Sequence, residues 1–387
     1  MMKKKILIDT KTILPLYIQG FISGIGRSTY ELLNALQNKK DLPFEIILFS
    51  QSTKGVSPKK DFLFKNLHFY MPDRPLFRKV TNFLKMKRWF VRYDLLHMPN
   101  NTAEVPECID KTIYTIHDLA VCKFLEMWPN TDGDFFERLK DDIVRCKSIV
   151  TCSEATKKDI VKFAGVSPDK IEVIYWGVNQ EKFKPSMCDD YLQKHRITPS
   201  YFFSSSCNHP RKNLPVLLAA YRMYKENNGE RQLVLLNPLK EYLDDYMDLI
   251  ESNNIIVCRN VSDEDLIELY SHAHCSFLIS SYEGFGFPIL ESLSCETPVV
   301  SANNSSLPEA GGDVALYLKD TTVDSVYEMM KYIDVKDKSQ LLDMSACRKH
   351  LAKFTWDVCA DKYVSYYKAL LKSVSYTHLR AHETEAD

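Results

Sequence analysis

The stretch Ser281-Tyr282-Glu283-Gly284-Phe285-Gly286-Phe287-Pro288-Ile289-Leu290-Glu291 decides how this chain is read. It follows the apolar run Cys275–Ile279 and carries proline where a helix would open, a position at which proline is well tolerated. The order strand, glycine loop, helix is therefore expected. Glycines let the backbone come close to a ligand, and the N–H groups of a helix start favour an anion. Glu283 falls in the loop and Glu291 within the first two helical turns, so the two do not share one helix face. A carboxylate accepts two hydroxyl protons at once, which suits neighbouring diols. One carboxylate can meet sugar hydroxyls and the other ribose hydroxyls, with a diphosphate between them at the helix start.

Outward from this stretch, short β-branched runs alternate with helical patterns. The runs are Lys5–Asp9, Phe44–Phe49, Leu67–Tyr70, Leu95–Met98, Thr112–Ile116, Ile149–Cys152 and Ile171–Trp176 in the first half. Tyr201–Ser205, Gln232–Leu236, Ile255–Cys258, Cys275–Ile279, Pro298–Ser301 and Ala315–Leu318 follow in the second. Helical periodicity fills most gaps, as in Ser28–Leu36, Ala155–Phe163, Pro215–Tyr224, Glu264–His272 and Pro288–Ser294. Such alternation implies an α/β protein with parallel sheets covered by helices on both faces. At 387 residues, two sheets of six or seven strands are expected. Pro185, Pro199 and charged residues interrupt the pattern between Gly177 and Tyr201. The expected organisation is a first Rossmann-like domain over 1–180, a second over 181–355, and a helix over 356–372 returning to the first. The tail 373–387 loses periodicity and reads as a non-native appendage outside the fold.

Lys plus Arg number 50 against Asp plus Glu 51, so no global field attracts nucleic acid. The 11 cysteines show no paired spacing and fit a reducing cytoplasm. Asp9 and Lys11 break the first apolar run too early for an export signal, and no stretch is long enough to span a membrane. Ser271-His272-Ala273-His274-Cys275 has a metal-like composition, but neighbouring residues at a helix-to-strand junction point to different faces, so no metal is assigned. In 74–92, five basic residues fall within about 80° on an ideal helix. That pattern reads first as a surface helix and alternatively as a peripheral membrane contact.

Glu283 and Glu291 with Gly-Phe-Gly-Phe-Pro between them resemble the donor-binding signature of family 4 glycosyltransferases, the retaining, group 1 enzymes of GT-B fold. The likeness runs from about Ile6 to about Leu371. It implies two Rossmann-like domains around a central cleft. It also implies transfer of a sugar from a nucleotide-sugar donor to a glycan or lipid-linked acceptor in cell-surface polysaccharide synthesis, without metal or cofactor. His209-Pro210-Arg211-Lys212 matches the family's cations for the donor diphosphate at the opening of a helix; Arg211 offers a bidentate fork and Lys212 a mobile charge. Glu283 and the amides of Phe285, Gly286 and Phe287 would hold the sugar, Gly284 would lie in the same donor-binding loop, and Glu291 would hold the ribose. The resemblance gives Gly26, next to Arg27, a backbone contact with donor phosphate, and His117, at a strand end, a catalytic place beside the transferred sugar. Ser204-Ser205-Ser206 stand where the family usually carries a glycine. An epimerase of the same fold, or a degenerate binding subunit, are the alternative readings.

Overall fold

The computed structural model describes residues 3–20, 22–52, 61–70, 92–100, 109–128, 131 and 134–383. The stretch 74–92, apart from exposed Arg92, lies outside the described residues. The chain divides into two compact units, Met1–Trp176 with Trp356–Asp387, and Gly177–Thr355. Among the described residues no helix is long and apolar enough to cross a membrane.

The first unit is built on seven strands: β1 (Lys4–Asp9), β2 (Phe44–Ser52), β3 (Lys65–Tyr70), β4 (Leu95–Met98), β5 (Thr112–Ile116), β6 (Ser148–Thr151) and β7 (Ile171–Val173). They lie in the order β3-β2-β1-β4-β5-β6-β7, and every pairing is parallel. Their continuous apolar runs follow from burial on both faces, since helices cover parallel sheets from either side. Leu7, Leu96, Tyr114, Ile116, Ile143 and Ile149 are core residues.

The last helix, Trp356–Glu383, belongs to this unit. Tyr363 and Tyr367 are buried, and the Tyr367 hydroxyl meets His97 Nδ1 at 2.6 Å while His97 Nε2 meets Thr115 Oγ1 at 2.7 Å. Lys39 ties the helix start through Asp357 and Asp361, at 2.6 and 2.7 Å. The backbone stays helical beyond the expected end at 372, as far as Glu383, within the segment expected to lie outside the fold. Helix formation there needs only backbone bonds continuing from a preformed turn, which an apolar periodicity test does not register.

The second unit holds β8 (Tyr201–Ser204), β9 (Leu233–Leu236), β10 (Ile255–Cys258), β11 (Ala273–Leu278), β12 (Val299–Ser301) and β13 (Leu316–Tyr317). Their order is β10-β9-β8-β11-β12-β13, again wholly parallel. Helices Leu214–Glu226 and Val323–Asp334 pack together over Phe202, Leu233, Leu235, Phe277 and Val300. Both sheets thus reverse their winding once, between β1 and β4 and between β8 and β11. In a doubly wound sheet the crevice beyond the strand C-termini at such a reversal is where ligands bind.

Candidate functional site

Strand β11 is buried along its whole length and delivers the chain to Ser280 at the reversal of the second sheet. The loop then turns into helix Phe287–Ser294, with Pro288 in its first turn. Gly286 has φ +125°, and an added Cβ would stand 3.0 Å from Cβ of Ala310. An L side chain is excluded there by both conformation and space.

Strand β8 ends beside it. The following residues do not open a helix directly, as the sequence had suggested. Pro210–Lys212 forms a single 3-10 turn capped by His209, whose Nδ1 accepts from the Arg211 amide at 3.3 Å. Asn213 then takes a left-handed φ of 56°, and the helix begins at Leu214. This kink lifts Arg211 and Lys212 out of the helix, so they do not oppose its dipole from within. The two loops are stitched together. Ser281 donates to the Arg211 carbonyl through its amide (2.8 Å) and hydroxyl (3.1 Å), and Asn213 Nδ2 donates to the Ile279 carbonyl at 2.9 Å.

Glu283 is the hub. Arg211 Nη1 donates to its Oε2 at 2.8 Å and to the Tyr282 carbonyl at 2.7 Å. Lys212 Nζ and Ser280 Oγ both donate to Oε1, the serine at 2.7 Å. Glu283 is only 8% exposed, and burial by itself would raise its pKa. Lys212 and Arg211 more than reverse that effect and hold it down at about 2, with the hydrogen bonds assisting. The cluster is a buried, permanently ionised carboxylate bracketed by two cations.

A third loop fixes the backbone around it. Ser305 Oγ accepts from the Glu283 amide at 3.0 Å, and Ser306 Oγ lies 2.9 Å from the Glu283 carbonyl and 2.8 Å from that of Phe285. Asn304 Nδ2 donates to the Ser280 carbonyl at 3.1 Å. Ser280, Asn304 and Ser306 were not singled out as site residues from sequence. The available signal was a run of small polar residues directly after a core strand, at the same sheet edge. Phe285 is 3% exposed, packed against Phe287 at 5.4 Å and Phe354 at 6.1 Å, so its ring is core and only its backbone remains for a ligand. Gly284 lies in the same loop, between Glu283 and Phe285.

Glu291 sits in a separate network. It is buried in helix Phe287–Ser294, and the Tyr270 hydroxyl donates to its Oε2 at 3.3 Å. Ser205, at the end of β8, contacts the same hydroxyl at 2.7 Å. Sequence reading placed Tyr270 within an ordinary amphipathic helix and gave it no part in the site.

In the first unit, His117 follows β5, buried, with Nε2 donating to the Pro99 carbonyl at 3.0 Å and its ring 5.0 Å from Trp176. Burial lowers its pKa to about 4 despite that hydrogen bond, so the ring is neutral at physiological pH. Gly26 lies in the first turn of helix Gly24–Gln37, which starts earlier than its apolar pattern because Ser23 caps it. The Gly26 amide donates to Ser23 Oγ at 3.2 Å, and a Cβ there would lie 2.5 Å from the Thr12 carbonyl oxygen. Close packing alone therefore requires this glycine. Arg27 begins its intrahelical bonding at Ser23, 2.7 Å away. His272 and His274 bond two different carbonyls, of Cys188 and Ile333.

The family described as glycosyl transferases group 1 matches residues 189–332, and that described as glycosyltransferase family 4 matches residues 22–182. The chain is 27% identical over 370 residues to the O-antigen chain mannosyltransferase B of Escherichia coli, covering 90% of this chain and 97% of that protein. It shares its fold with a glycosyltransferase from Rickettsia africae (TM-score 0.70, 19% identity, 96% of this chain and 99% of that one). The same holds for Anabaena HepE in complex with UDP and glucose (TM-score 0.71, 14% identity, 95% and 100%).

Proposed function

Because the chain belongs to the group 1, family 4 glycosyltransferases of GT-B fold, we propose that it transfers a sugar, a mannosyl group foremost, from a nucleotide diphosphate donor to a growing cell-surface glycan. The observation that carries this is the contact of Glu283 with both Arg211 and Lys212 at the reversal of the second sheet. Support for mannose comes from the likeness to the O-antigen chain mannosyltransferase over nearly its full length.

The residues divide the work by charge. Breaking the glycosidic bond leaves negative charge on the departing diphosphate, and Arg211 and Lys212 lie where they can receive it. Preorganised cations in a largely buried setting stabilise such charge without reorganising at the moment of reaction. Glu283, ionised throughout the physiological range, accepts hydrogen bonds from sugar hydroxyls and offsets positive charge developing on the ring. Glu291 accepts from the ribose diol. Two fixed cations at the diphosphate supply the neutralisation a metal ion would otherwise give, so transfer proceeds in the presence of EDTA. Retention at the anomeric carbon, with attack on the face the diphosphate leaves, follows the family and needs no covalent nucleophile. His117 remains the proposed catalytic contribution of the first unit, acting as a neutral ring. Gly26 is proposed as a packing residue that lets the start of its helix approach the Thr12 turn. A lipid-linked acceptor and membrane contact through 74–92 extend the proposal; co-sedimentation with anionic liposomes checks them, and equal pelleting of an Arg78→Glu, Lys85→Glu, Arg88→Glu variant removes them.

The test of the central reading is direct. The full chain is screened for thermal shift against UDP, GDP, ADP and their sugars, since a ligand bound only by the folded state raises stability. The stabilising donor is then incubated with a membrane glycan fraction. Sugar transfer with release of the nucleoside diphosphate is expected, and full activity in a Glu283→Gln variant would overturn the assignment.

A further inference from the structure

We propose that Tyr270 is a positioning residue for nucleotide recognition, its hydroxyl held by Ser205 and orienting the Glu291 carboxylate toward the donor's ribose. This rests on the reading of Glu291 as the ribose-binding carboxylate.

The hydrogen-bond directions can be deduced. A phenol has one proton, and Tyr270 spends it on Glu291 Oε2. At the 2.7 Å contact with Ser205 the phenol oxygen must then accept, so Ser205 donates. The order is Ser205 to Tyr270 to Glu291, from the end of β8, through the last turn of helix Asp263–His272, to helix Phe287–Ser294. Three elements that meet at the reversal of the sheet are thereby linked through one hydroxyl.

Tyr270 is suited to hold a geometry. It is fully buried, its ring meets Phe203 edge-on at 5.0 Å, and its carbonyl accepts from Thr297 Oγ1 at 2.6 Å. Burial also keeps the phenol protonated, and therefore a donor, at any physiological pH. A carboxylate on a helix retains rotation about its terminal torsion, which is broad. A donor fixed on one oxygen biases that torsion and so the direction in which the carboxylate meets a diol. Ser205 is one of the three serines at the position where the resemblance leads one to expect glycine. Here that departure supplies the hydroxyl that completes the chain of bonds.

A tyrosine serving only the core would affect stability but not the choice between ribose and 2′-deoxyribose, and the test is built on that difference. GDP against 2′-deoxy-GDP, and UDP against 2′-deoxy-UDP, are titrated calorimetrically into the full chain and into Glu291→Gln, Tyr270→Phe and Ser205→Ala variants. Wild type is expected to prefer the ribonucleotide. Glu291→Gln should abolish the preference, Tyr270→Phe should reduce it about fivefold, and Ser205→Ala about twofold, the scale of one hydrogen bond. Equal binding of both sugars by wild type, or no binding of either pair, overturns the ribose reading and this proposal with it. A preference lost in Glu291→Gln but intact in Tyr270→Phe and Ser205→Ala leaves the ribose reading standing and overturns the positioning role alone. Ser205 is only half-buried, so its variant decides the matter should Tyr270→Phe fold poorly.

Discussion

The two sheets share one winding scheme and use the ends of their strands differently. Beyond the reversal of the second sheet stand a carboxylate and two cations, bonded to one another and largely buried. Beyond that of the first stand Thr10, Asn100 and His117, all buried, with the histidine held neutral by burial. A scaffold common to both units therefore fixes where polar residues gather and not what charge they carry. Charge is written by the few residues after each strand, and the two cations are the ground on which diphosphate binding is proposed for the second sheet.

The largest expected effect breaks that asymmetry. Lys212→Ala removes one of the two cations and should lower kcat by about 100- to 1000-fold, the scale of about 2.7–4 kcal/mol for one preorganised charge-stabilising contact. Steady-state rates with saturating donor check this, and a loss below fivefold would deny Lys212 its role. Next in size is the response to acid, in which the buried histidines of the first unit and Glu283 of the second begin to respond at different pH. Burial holds His97 at about 3 and His117 at about 4, below the ordinary 6.5. The unfolded chain takes up those protons first, so the contribution of these two histidines to the first unit is complete above about pH 6.5 and is lost as pH falls toward 4 and then 3, while Asp142, raised to about 6 by burial, acts in the opposite sense. Glu283, lowered from 4.5 to about 2, contributes above pH 4.5 and its contribution is lost between there and 2. Urea titrations at stepped pH, followed by tryptophan fluorescence, should show the first loss, on the order of a few kcal/mol. His97→Gln should shrink that limb to the part due to His117, while Glu283→Gln should leave its onset in place and reduce the loss below pH 4.5. A smaller change sharpens the comparison within the second unit. Ser306→Ala removes a hydroxyl shared by two loop carbonyls and should cost about 1 kcal/mol, seen as roughly fivefold in kcat/KM with the melting temperature little altered. An unchanged kcat/KM would show that the loop holds its shape without it.

The sheets were legible because both faces of each strand are buried, which leaves uninterrupted runs such as Ile6-Leu7-Ile8 and Phe202-Phe203 between polar turns. Glu283, Arg211 and Lys212 were also legible as candidates, from loop chemistry and the family resemblance. Their mutual bonding was not, since Arg211 and Glu283 stand 72 residues apart and meet only through the register of β8 beside β11. Tyr270 escaped notice for a related reason. On a helix of apolar periodicity a buried tyrosine is indistinguishable from a core residue until the partner of its hydroxyl is known. Neither the Asn213 kink nor the early start at Gly24 leaves an apolar signal, because each is set by a single backbone conformation or cap.

The return of helix Trp356–Glu383 to the first sheet has a consequence for how the protein is made. Gly177–Thr355 is one continuous segment with its own core, whereas the first unit draws on both sides of it. During synthesis the second unit can close as soon as it leaves the ribosome. The first must keep the pocket for Tyr363 and Tyr367 unfilled, and His97 without its phenol partner, until the chain past Tyr367 has emerged.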